Sequence, residues 1–265
     1  MAEAFAPMQG MRTSHSVKLV SQHSGHVSMI PSKPRLQRQG ASRNLSNLLR
    51  ATLSEGGSVE KKVDLAKVGT WFGATVVEVA LLSAAMFAVQ TIGGYLPPIG
   101  YKCLAILFFA SMALKSRIFS ILDASRPTMG EVQETKRPSW TPPPIVFPIV
   151  WSTIGILRTV SSVVVWEAVG RQMLVLPLIA MMTHLSIGDT WNNINNVERR
   201  KGSAVAGVAF VWTSVVTCTY LYWKTIPLAG MILAPSVLWL SIASVLIFNI
   251  WMLNGYEPIL PYKSE

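Results

Sequence analysis

Apolar residues fill six long stretches of this chain, and polar residues collect in the links between them. A run of about 20 apolar residues, rising about 1.5 Å per residue as a helix, can cross a hydrocarbon core of about 30 Å. No water inside a bilayer can satisfy the backbone, so each stretch is predicted to be a transmembrane helix. The pattern therefore predicts an all-α membrane protein whose helices cover residues 70–93, 100–120, 143–166, 173–195, 203–223 and 227–253.

The links contain helix breakers and most of the basic side chains. Residues 93–98 and 224–227 supply glycines and prolines that end one helix and start the next. If all six stretches span, twelve Lys and Arg residues fall on one side of the membrane and three on the other. Basic loops tend to stay on the side from which a protein inserts, so both termini are predicted to lie on the basic side. If the first stretch did not span, the later loops would still alternate.

Composition agrees with a membrane protein. Hydrophobic residues make up 51% of the chain, charged residues make up 14%, and the mean hydropathy is +0.41. The net charge of +10 is concentrated in residues 1–54, which hold seven basic side chains and one acidic side chain. The basic excess therefore belongs to an N-terminal extension and does not indicate nucleic-acid binding.

This extension is rich in serine and arginine, and no acidic residue occurs between Glu3 and Glu55. Such a composition is typical of an organelle transit peptide, and the extension lacks the apolar core of a secretory signal. We interpret it as a plastid transit peptide, which predicts a multi-pass protein of a chloroplast membrane, the envelope in particular. One alternative is a mitochondrial presequence, and hence a mitochondrial membrane. The other is a disordered basic tail that stays attached.

A segment rich in proline and tryptophan, residues 137–151, leads into the third stretch. Proline is tolerated in the first turn of a helix, where its missing N–H costs nothing, so residues 142–144 are predicted to open the third helix. Trp140 and Trp166 lie near the two ends of this helix. Tryptophan is enriched at both membrane–water interfaces, so the two side chains are predicted to lie at opposite interfaces.

Aromatic and polar residues share faces on three of the predicted helices. An arginine deep in a span, such as Arg158, usually faces the bundle interior or a polar cavity. Together the faces outline a cavity suited to a flat, largely apolar ligand with charged edges, such as a tetrapyrrole or a sterol-like molecule. Simple helix packing by Trp and Gly is the alternative. By helical spacing, the faces are Phe147, Trp151, Gly155 and Arg158; His184, Gly188, Trp191 and Asn195; and Pro235, Trp239, Ile242, Leu246 and Asn249.

Two other ionisable residues lie inside spans. Glu78 is near the middle of the first stretch, where a buried acid is a functional candidate. It could pair with Arg158, face a partner protein or be a protonated packing group. His184 could be an axial haem ligand, but a lone histidine among apolar and small residues is more often a hydrogen-bonded packing group. Cys103 and Cys218 lie far apart in apolar stretches and give no disulfide or metal pattern.

Spaced motifs run in register from the third stretch to near the C-terminus: Lys136-Arg-Pro-Ser-Trp-Thr-Pro-Pro143, Phe147, Val150-Trp-Ser-Thr153, Val165-Trp-Glu167, Trp191, Arg199-Arg200, Gly202, Pro227-Leu-Ala229, Leu233-Ala-Pro235, Trp239, Ala243 and Trp251-Met-Leu-Asn254. They resemble the TspO/MBR family, also called translocator proteins or tryptophan-rich sensory proteins. The resemblance covers residues 99–254 and points to a plant or algal, organelle-targeted member with an extra N-terminal helix.

The resemblance implies a five-helix TspO-type transmembrane bundle, here with one additional N-terminal transmembrane helix. The expected organisation is a transit peptide or disordered basic tail over residues 1–54, then a linker and the extra helix over 55–98. The TspO/MBR-like bundle occupies 99–254, and a short C-terminal tail follows over 255–265.

Family members look like binders of porphyrins, haem and, in animals, cholesterol. The resemblance implies that Trp151, Trp191 and Trp239 line the equivalent pocket, with Trp140 and Pro143 at its mouth. Phe147, Arg158 and His184 complete the predicted ligand-binding set. This chain departs from the family pattern at Gly155, Ser236 and Ile247, where two tyrosines and an asparagine are usual, so we expect a different ligand or weaker binding.

The predicted function is binding, with transport or buffering, of a tetrapyrrole or similar lipophilic ligand. The sequence has no phosphate-cradling loop, HExxH motif or catalytic triad, so a non-enzymatic protein is predicted. It would need no cofactor, with porphyrin or haem as candidate ligand. Expected partners are membrane lipid, the lipophilic ligand, and a second copy or another membrane protein, but no nucleic acid. The alternative is a structural or regulatory membrane subunit that has lost the ligand and docks a partner through the extra helix.

Overall fold

The computed structural model describes residues 62–114 and 135–263. Within these ranges the chain is almost entirely helical, and the one sheet-like contact is an isolated antiparallel bridge between Val63 and Tyr262. The predicted all-α membrane class is thereby confirmed. A π-helical segment, Asn193–Val197, prolongs the fourth helix. The six α-helices of the described ranges are α1 Leu65–Gly93, α2 Pro98–Leu114, α3 Val146–Ala168, α4 Leu176–Asn192, α5 Lys201–Thr225 and α6 Pro227–Leu253.

Four of the described helices, α1, α3, α5 and α6, are long and apolar enough to cross a membrane. Helix α2 is a shorter apolar helix of 17 residues, and its predicted continuation to residue 120 lies outside the described residues. The predicted transit peptide over residues 1–54 also lies outside them. Elsewhere the helix boundaries fall within a few residues of their predicted positions, because glycines and prolines punctuate the apolar stretches.

The prediction that residues 142–144 open the third helix is wrong, because α3 begins at Val146. The carbonyl of Pro143 accepts a hydrogen bond from the Val146 amide at 2.9 Å, and the carbonyl of Pro144 accepts one from the Phe147 amide at 3.3 Å. The first amides of a helix otherwise lack partners. The proline run therefore caps α3 through its carbonyl groups instead of forming its first turn.

The helices pack so that α5 lies between α4 and α6, α3 contacts α2 and α6, and α1 packs chiefly on α4. Large apolar side chains on the outer surface are exposed, among them Phe72, Phe210 and Leu238. Lipid tails are as apolar as leucine, so a bilayer satisfies these side chains. The largest internal cluster includes Met86, Phe109, Trp166, Met181, Leu185, Cys218, Tyr222 and Leu233.

Each end of the bundle is polar and joins helices that are distant in sequence. At one end, called here the Glu198 end, Lys67 of α1 pairs with Glu198 at 2.9 Å. At the opposite end, called the Glu167 end, Lys102 of α2 pairs with Glu167 of α3 at 2.8 Å. The starts of α1, α3 and α5 lie at the Glu198 end, so successive helices run in alternate directions as the predicted topology requires.

The segment after α6, called here the tail, folds back over the Glu198 end. The Gly202 amide donates to the Glu257 carboxylate at 3.2 Å. The Asp64 amide donates to the Pro261 carbonyl at 2.7 Å. The tail therefore links the start of α5 to the start of α1, and it closes one end of the bundle beneath the internal cavity.

Candidate functional site

A small internal cavity lies between α3, α4 and α5, about halfway along these helices. Its interior has room for about one water molecule. The structure brings Trp151, Arg158, His184 and Trp191, four members of the predicted ligand-binding set, to this one place. The complete wall consists of Trp151, Arg158, His184, Leu185, Gly188, Trp191 and Val211.

Arg158 and His184 form the polar part of the wall. Arg158 is only 4% exposed, and its Nη2 lies 2.8 Å from His184 Nε2. A guanidinium can only donate, so His184 Nε2 is the acceptor and Nδ1 carries the ring proton. Nδ1 donates to Ser214 Oγ at 2.8 Å, and Ser214 Oγ donates to the Val211 carbonyl at 2.8 Å. Both ring nitrogens are occupied, so this conformation leaves neither of them for a haem iron and favours the packing role.

Trp191 is held firmly against α5. Its Nε1 donates to the Ala204 carbonyl at 3.0 Å. The ring also packs on Gly207, where an added Cβ would approach the ring to 2.8 Å. Trp151 is less enclosed, and it packs both against the cluster that contains Trp191 and against a second cluster around Phe147. Trp191 is thus fixed by a hydrogen bond and a glycine contact, whereas Trp151 is held by packing contacts.

Phe147 and Trp239 lie together beside the cavity but do not line it. Their ring centroids are 6.0 Å apart at 70°, and they pack with Leu246 and Ile250. Trp151 contacts this cluster and also lines the cavity, so it connects the two. The buried Nε1 of Trp239 has no hydrogen-bond partner within the described part of the chain.

The face predicted on the last helix does not form a cavity wall. Pro235 and Ile242 are exposed on the outer surface, whereas Ser236, Leu240 and Ile247 are buried. Helix α6 packs against both α5 and α3. Of the predicted face, Leu246 is buried and Trp239 is partly buried in the cluster around Phe147. The buried surface of α6 extends beyond this face because the helix has two neighbours.

The two residues expected at the pocket mouth lie apart from the cavity wall. Trp140 is 45% exposed in the turn before α3, and Pro143 is exposed as well. Trp166, which was expected at the opposite interface, lies in the last turn of α3 but does not reach the outer surface of the bundle. Trp166 is fully buried, and its ring makes an edge contact with Tyr101 of α2 at 4.8 Å between centroids. Helix α2 covers this tryptophan, and that cover cannot be seen from the spacing within α3.

Gly155 allows α2 and α3 to approach each other. A Cβ at this position would collide with the Leu114 side chain of α2, and the Ala113 carbonyl would lie 3.4 Å from it. The residue therefore belongs to a helix contact and not to the cavity wall with which it was grouped. An aromatic side chain at Gly155 would require α2 to move.

Glu78 of α1 points into the bundle, where it is 2% exposed. Asp189 of α4, which is also 2% exposed, lies within electrostatic range of Glu78, and no ion pair between Glu78 and Arg158 is found among the described residues. Asp189 directly follows Gly188 of the cavity wall. One turn closer to the Glu198 end, Thr75 Oγ1 lies 2.7 Å from Thr190 Oγ1. Helix α1 thus makes polar contacts with α4 beside the cavity.

Three residues around the cavity escape sequence reasoning: Leu185, Val211 and Ser214. Ser214 fixes the tautomer of His184, yet it is one of several hydroxyl residues along an uncharged stretch, and only the approach of α4 gives it that role. Among residues 62–114 and 135–263, no group of three or more His, Cys, Asp and Glu side chains could hold a metal ion.

The fold and the cavity define a class: a multi-pass α-helical membrane protein with an internal cavity walled by two tryptophans and a buried Arg–His pair. The model of the TspO/MBR family matches residues 103–252, which is more than half of the chain. The chain therefore belongs to the TspO/MBR family. Helix α1 lies before the matched region.

Known relatives agree with this membership. The chain is 32% identical to protein CrtK of Rhodobacter capsulatus, over 47% of this chain and 79% of that protein. It is 28% identical to the translocator protein of Homo sapiens, over 45% of this chain and 72% of that protein. It is 25% identical to translocator protein 2 of Mus musculus, over 57% of this chain and 96% of that protein.

Proposed function

We propose that this protein binds a tetrapyrrole, or a similarly flat lipophilic molecule with a carboxylate edge, between α3, α4 and α5, and that it transports or buffers this ligand in an organelle membrane. The observation that carries the proposal is the cavity itself. Two tryptophans supply ring surface, and a buried guanidinium supplies a positive charge in the same wall. Aromatic surface and a few convergent polar groups are what such a ligand requires.

Arg158 would orient the ligand. Its Nε is buried and has no hydrogen-bond partner among the described residues, while its Nη2 contacts His184. Hydrogen bonds between a guanidinium and a carboxylate are charge-assisted and are often bidentate. A ligand carboxylate placed at Nε would satisfy a donor that the protein leaves open, with the rings of Trp151 and Trp191 beside the apolar part of the ligand.

The cavity has to widen before such a ligand can enter, because it has room for only about one water molecule. Trp151 is the side chain best suited to move, since it is partly buried and its place in the wall depends on packing alone. Behind it lie Phe147 and Trp239, whose Nε1 is a buried donor without a partner in the described chain. Displacing Trp151 would therefore extend the site into a second aromatic cluster. The widened site would then include every inner aromatic residue of the predicted set, namely Phe147, Trp151, Trp191 and Trp239.

Titration of the purified protein with protoporphyrin IX and with haem, followed by quenching of tryptophan fluorescence, tests the proposal. We expect saturable quenching whose affinity falls by about fivefold or more in Trp151→Ala and Trp191→Ala, because stacking of one aromatic side chain contributes about 1–3 kcal/mol. Trp223→Ala is the matched control, since Trp223 is 49% exposed on the outer surface.

Two results would contradict the proposed site. One is the absence of saturable quenching by either porphyrin. The other is an affinity that is unchanged in both cavity variants. A loss of affinity in Trp223→Ala alone would place the ligand on the outer surface of the bundle instead.

We further propose a chloroplast membrane, the envelope in particular, as the location, with a mitochondrial membrane as the alternative. The support is the serine- and arginine-rich composition of residues 1–54, together with the absence of acidic residues between Glu3 and Glu55. Import of a fluorescent protein fused to residues 1–54 into isolated chloroplasts and mitochondria separates the two.

The alternative function, a partner-docking subunit, relied on Glu78 facing another protein. In the structure Glu78 is buried inside the bundle and is only 2% exposed. The outer side chains of α1, such as Phe72 and Leu81, are apolar and suit lipid as well as protein. The ligand-binding proposal is therefore the better supported of the two.

A further inference from the structure

Three consecutive hydrogen bonds connect α5, α4 and α3 and end at the cavity. Ser214 Oγ of α5 donates to the Val211 carbonyl of the same helix at 2.8 Å. His184 Nδ1 of α4 lies 2.8 Å from Ser214 Oγ, and Arg158 Nη2 of α3 lies 2.8 Å from His184 Nε2. These bonds, called here the Ser214 network, tie the guanidinium in the cavity wall to a helix on the other side of the cavity.

The direction of every bond in the Ser214 network is fixed. A serine hydroxyl has one proton, and Ser214 gives it to Val211, so its oxygen can only accept from His184. A guanidinium can only donate, so Arg158 also requires His184 to accept at Nε2. Both neighbours therefore demand the same tautomer of His184, which is only 1% exposed.

The Ser214 network holds Arg158 in one orientation. Its Nη2 is bound to His184, while its buried Nε has no hydrogen-bond partner in the described part of the chain. A flexible side chain has to be ordered before it can hold a ligand, and this ordering lowers the affinity by about two- to tenfold. For Arg158 the protein itself supplies the order, which leaves Nε available to a carboxylate.

We propose that Ser214 is a positioning residue that acts through His184 on Arg158, and that it thereby makes the site select ligands with a carboxylate over neutral ligands of the same shape. This inference rests on the proposed function. Ser214 itself does not line the cavity. The rings of Trp151 and Trp191 meet the apolar part of either kind of ligand, so only the charge-assisted bond to a carboxylate depends on the Ser214 network.

Quenching titrations of the purified full chain with protoporphyrin IX and with its dimethyl ester measure this selectivity, because the ester keeps the ring and removes the charge. We expect the wild type to bind the acid more tightly than the ester. Ser214→Ala should lower the affinity for the acid by about two- to tenfold and leave the affinity for the ester unchanged. Ser214→Thr keeps the hydroxyl and should bind the acid as the wild type does.

Ser162→Ala is the matched control. Ser162 of α3 lies one turn after Arg158, and its Oγ is 2.8 Å from the Tyr222 hydroxyl of α5. It is therefore also a buried serine that joins two helices of the site, but it takes no part in the Ser214 network. Its loss should change the affinities for acid and ester by the same factor.

The tautomer of His184 is a second measurement, and a purely structural role of Ser214 would not affect it. Nitrogen NMR of the chain with isotope-labelled histidine should show His184 protonated at Nδ1 in the wild type. Ser214→Ala removes the acceptor of that proton, so the form protonated at Nε2 should appear. The spectrum of His184→Phe identifies the signal.

The outcomes separate this inference from the proposed function. Equal losses of affinity for acid and ester in Ser214→Ala, or no loss for either, would overturn the positioning role and leave the cavity site standing. A wild type that binds the ester as tightly as the acid, or that carries the His184 proton on Nε2, would also overturn it. No saturable quenching by either probe would overturn the proposed function and this inference with it. If Ser214→Ala does not fold, Ser214→Cys takes its place, since sulfur is a weak acceptor.

Discussion

At the scale of single residues, Arg158 and Gly188 have opposite roles in one wall. Burying a guanidinium removes its hydration, and the structure restores only part of that loss through His184. Gly188, by contrast, leaves space, because a Cβ built there would meet no atom within 4 Å. The cavity wall therefore combines an unsatisfied donor, Arg158 Nε, with empty space beside Gly188. A larger side chain at Gly188 tests whether the ligand uses that space.

The substitution Gly188→Leu should lower the affinity for protoporphyrin IX by about fivefold or more, because the leucine side chain would fill the space that the ligand needs and overfilling a packed site costs about 1–3 kcal/mol. Quenching titrations measure the change, and thermal unfolding in detergent confirms that the bundle is intact. The matched control is Gly73→Leu, at a glycine of α1 that also has no atom within 4 Å of its added Cβ. Equal affinities of the two variants would mean that the ligand does not use this cavity.

At the scale of elements, α1 is joined to the bundle by one narrow stripe and two polar ends. Its buried side chains, Trp71, Ala74, Glu78, Leu82 and Met86, recur every three or four residues. Trp71 Nε1 donates to Glu198 at 3.1 Å, and at the other end Gln90 accepts from the Met173 amide at 2.7 Å. The tail reinforces the first of these ends through its contact with Asp64.

The contact between the tail and α5 depends on Gly202. An added Cβ at Gly202 would collide with the backbone carbonyl of Pro258. Gly202→Ala should therefore displace the tail and lower the free energy of unfolding by about 1–3 kcal/mol, although alanine is the better helix former. Thermal unfolding in detergent measures this change.

The control for that experiment is Gly69→Ala, since Gly69 is also near the start of a helix and has nothing within 4 Å of its added Cβ. It should leave the stability unchanged or raise it by up to about 1 kcal/mol. If Gly202→Ala unfolds at the same temperature as Gly69→Ala, then the tail contributes nothing to holding the bundle together.

At the scale of the whole molecule, the predicted six-span topology would give each loop a definite side of the membrane, although only four of the described helices are long and apolar enough to cross by themselves. Tyr95, between α1 and α2, and Tyr256, after α6, are both well exposed, at 87% and 62%. The excess of basic residues assigns Tyr256 to the basic side and Tyr95 to the other. Membrane-impermeant thiol labelling of Tyr95→Cys and Tyr256→Cys, in a chain with Cys103 and Cys218 replaced by alanine, should modify them from opposite sides. Labelling of both from one side would contradict the six-span topology.

The sequence was sufficient to predict features that depend on a single helix. Hydropathy located the helices, and the 3.6-residue period put His184, Gly188 and Trp191 on one face, where the structure has them. Features that depend on contact with a second helix could not be predicted. Trp166 is buried because α2 covers it, Gly155 serves a contact with Leu114, and Ser214 orients His184 from α5. Nothing in the spacing within one helix encodes which neighbour will lie against it.

A cavity with room for only about one water molecule also has a consequence for the rate of binding. Under the proposed function, the ligand cannot enter faster than Trp151 and its helix make room, and such collective movements take microseconds to milliseconds. The observed association rate would then rise with porphyrin concentration only up to a plateau, and the plateau would report how often the bundle opens. The same requirement would slow dissociation, so a bound ligand would stay shielded from water until the bundle opens.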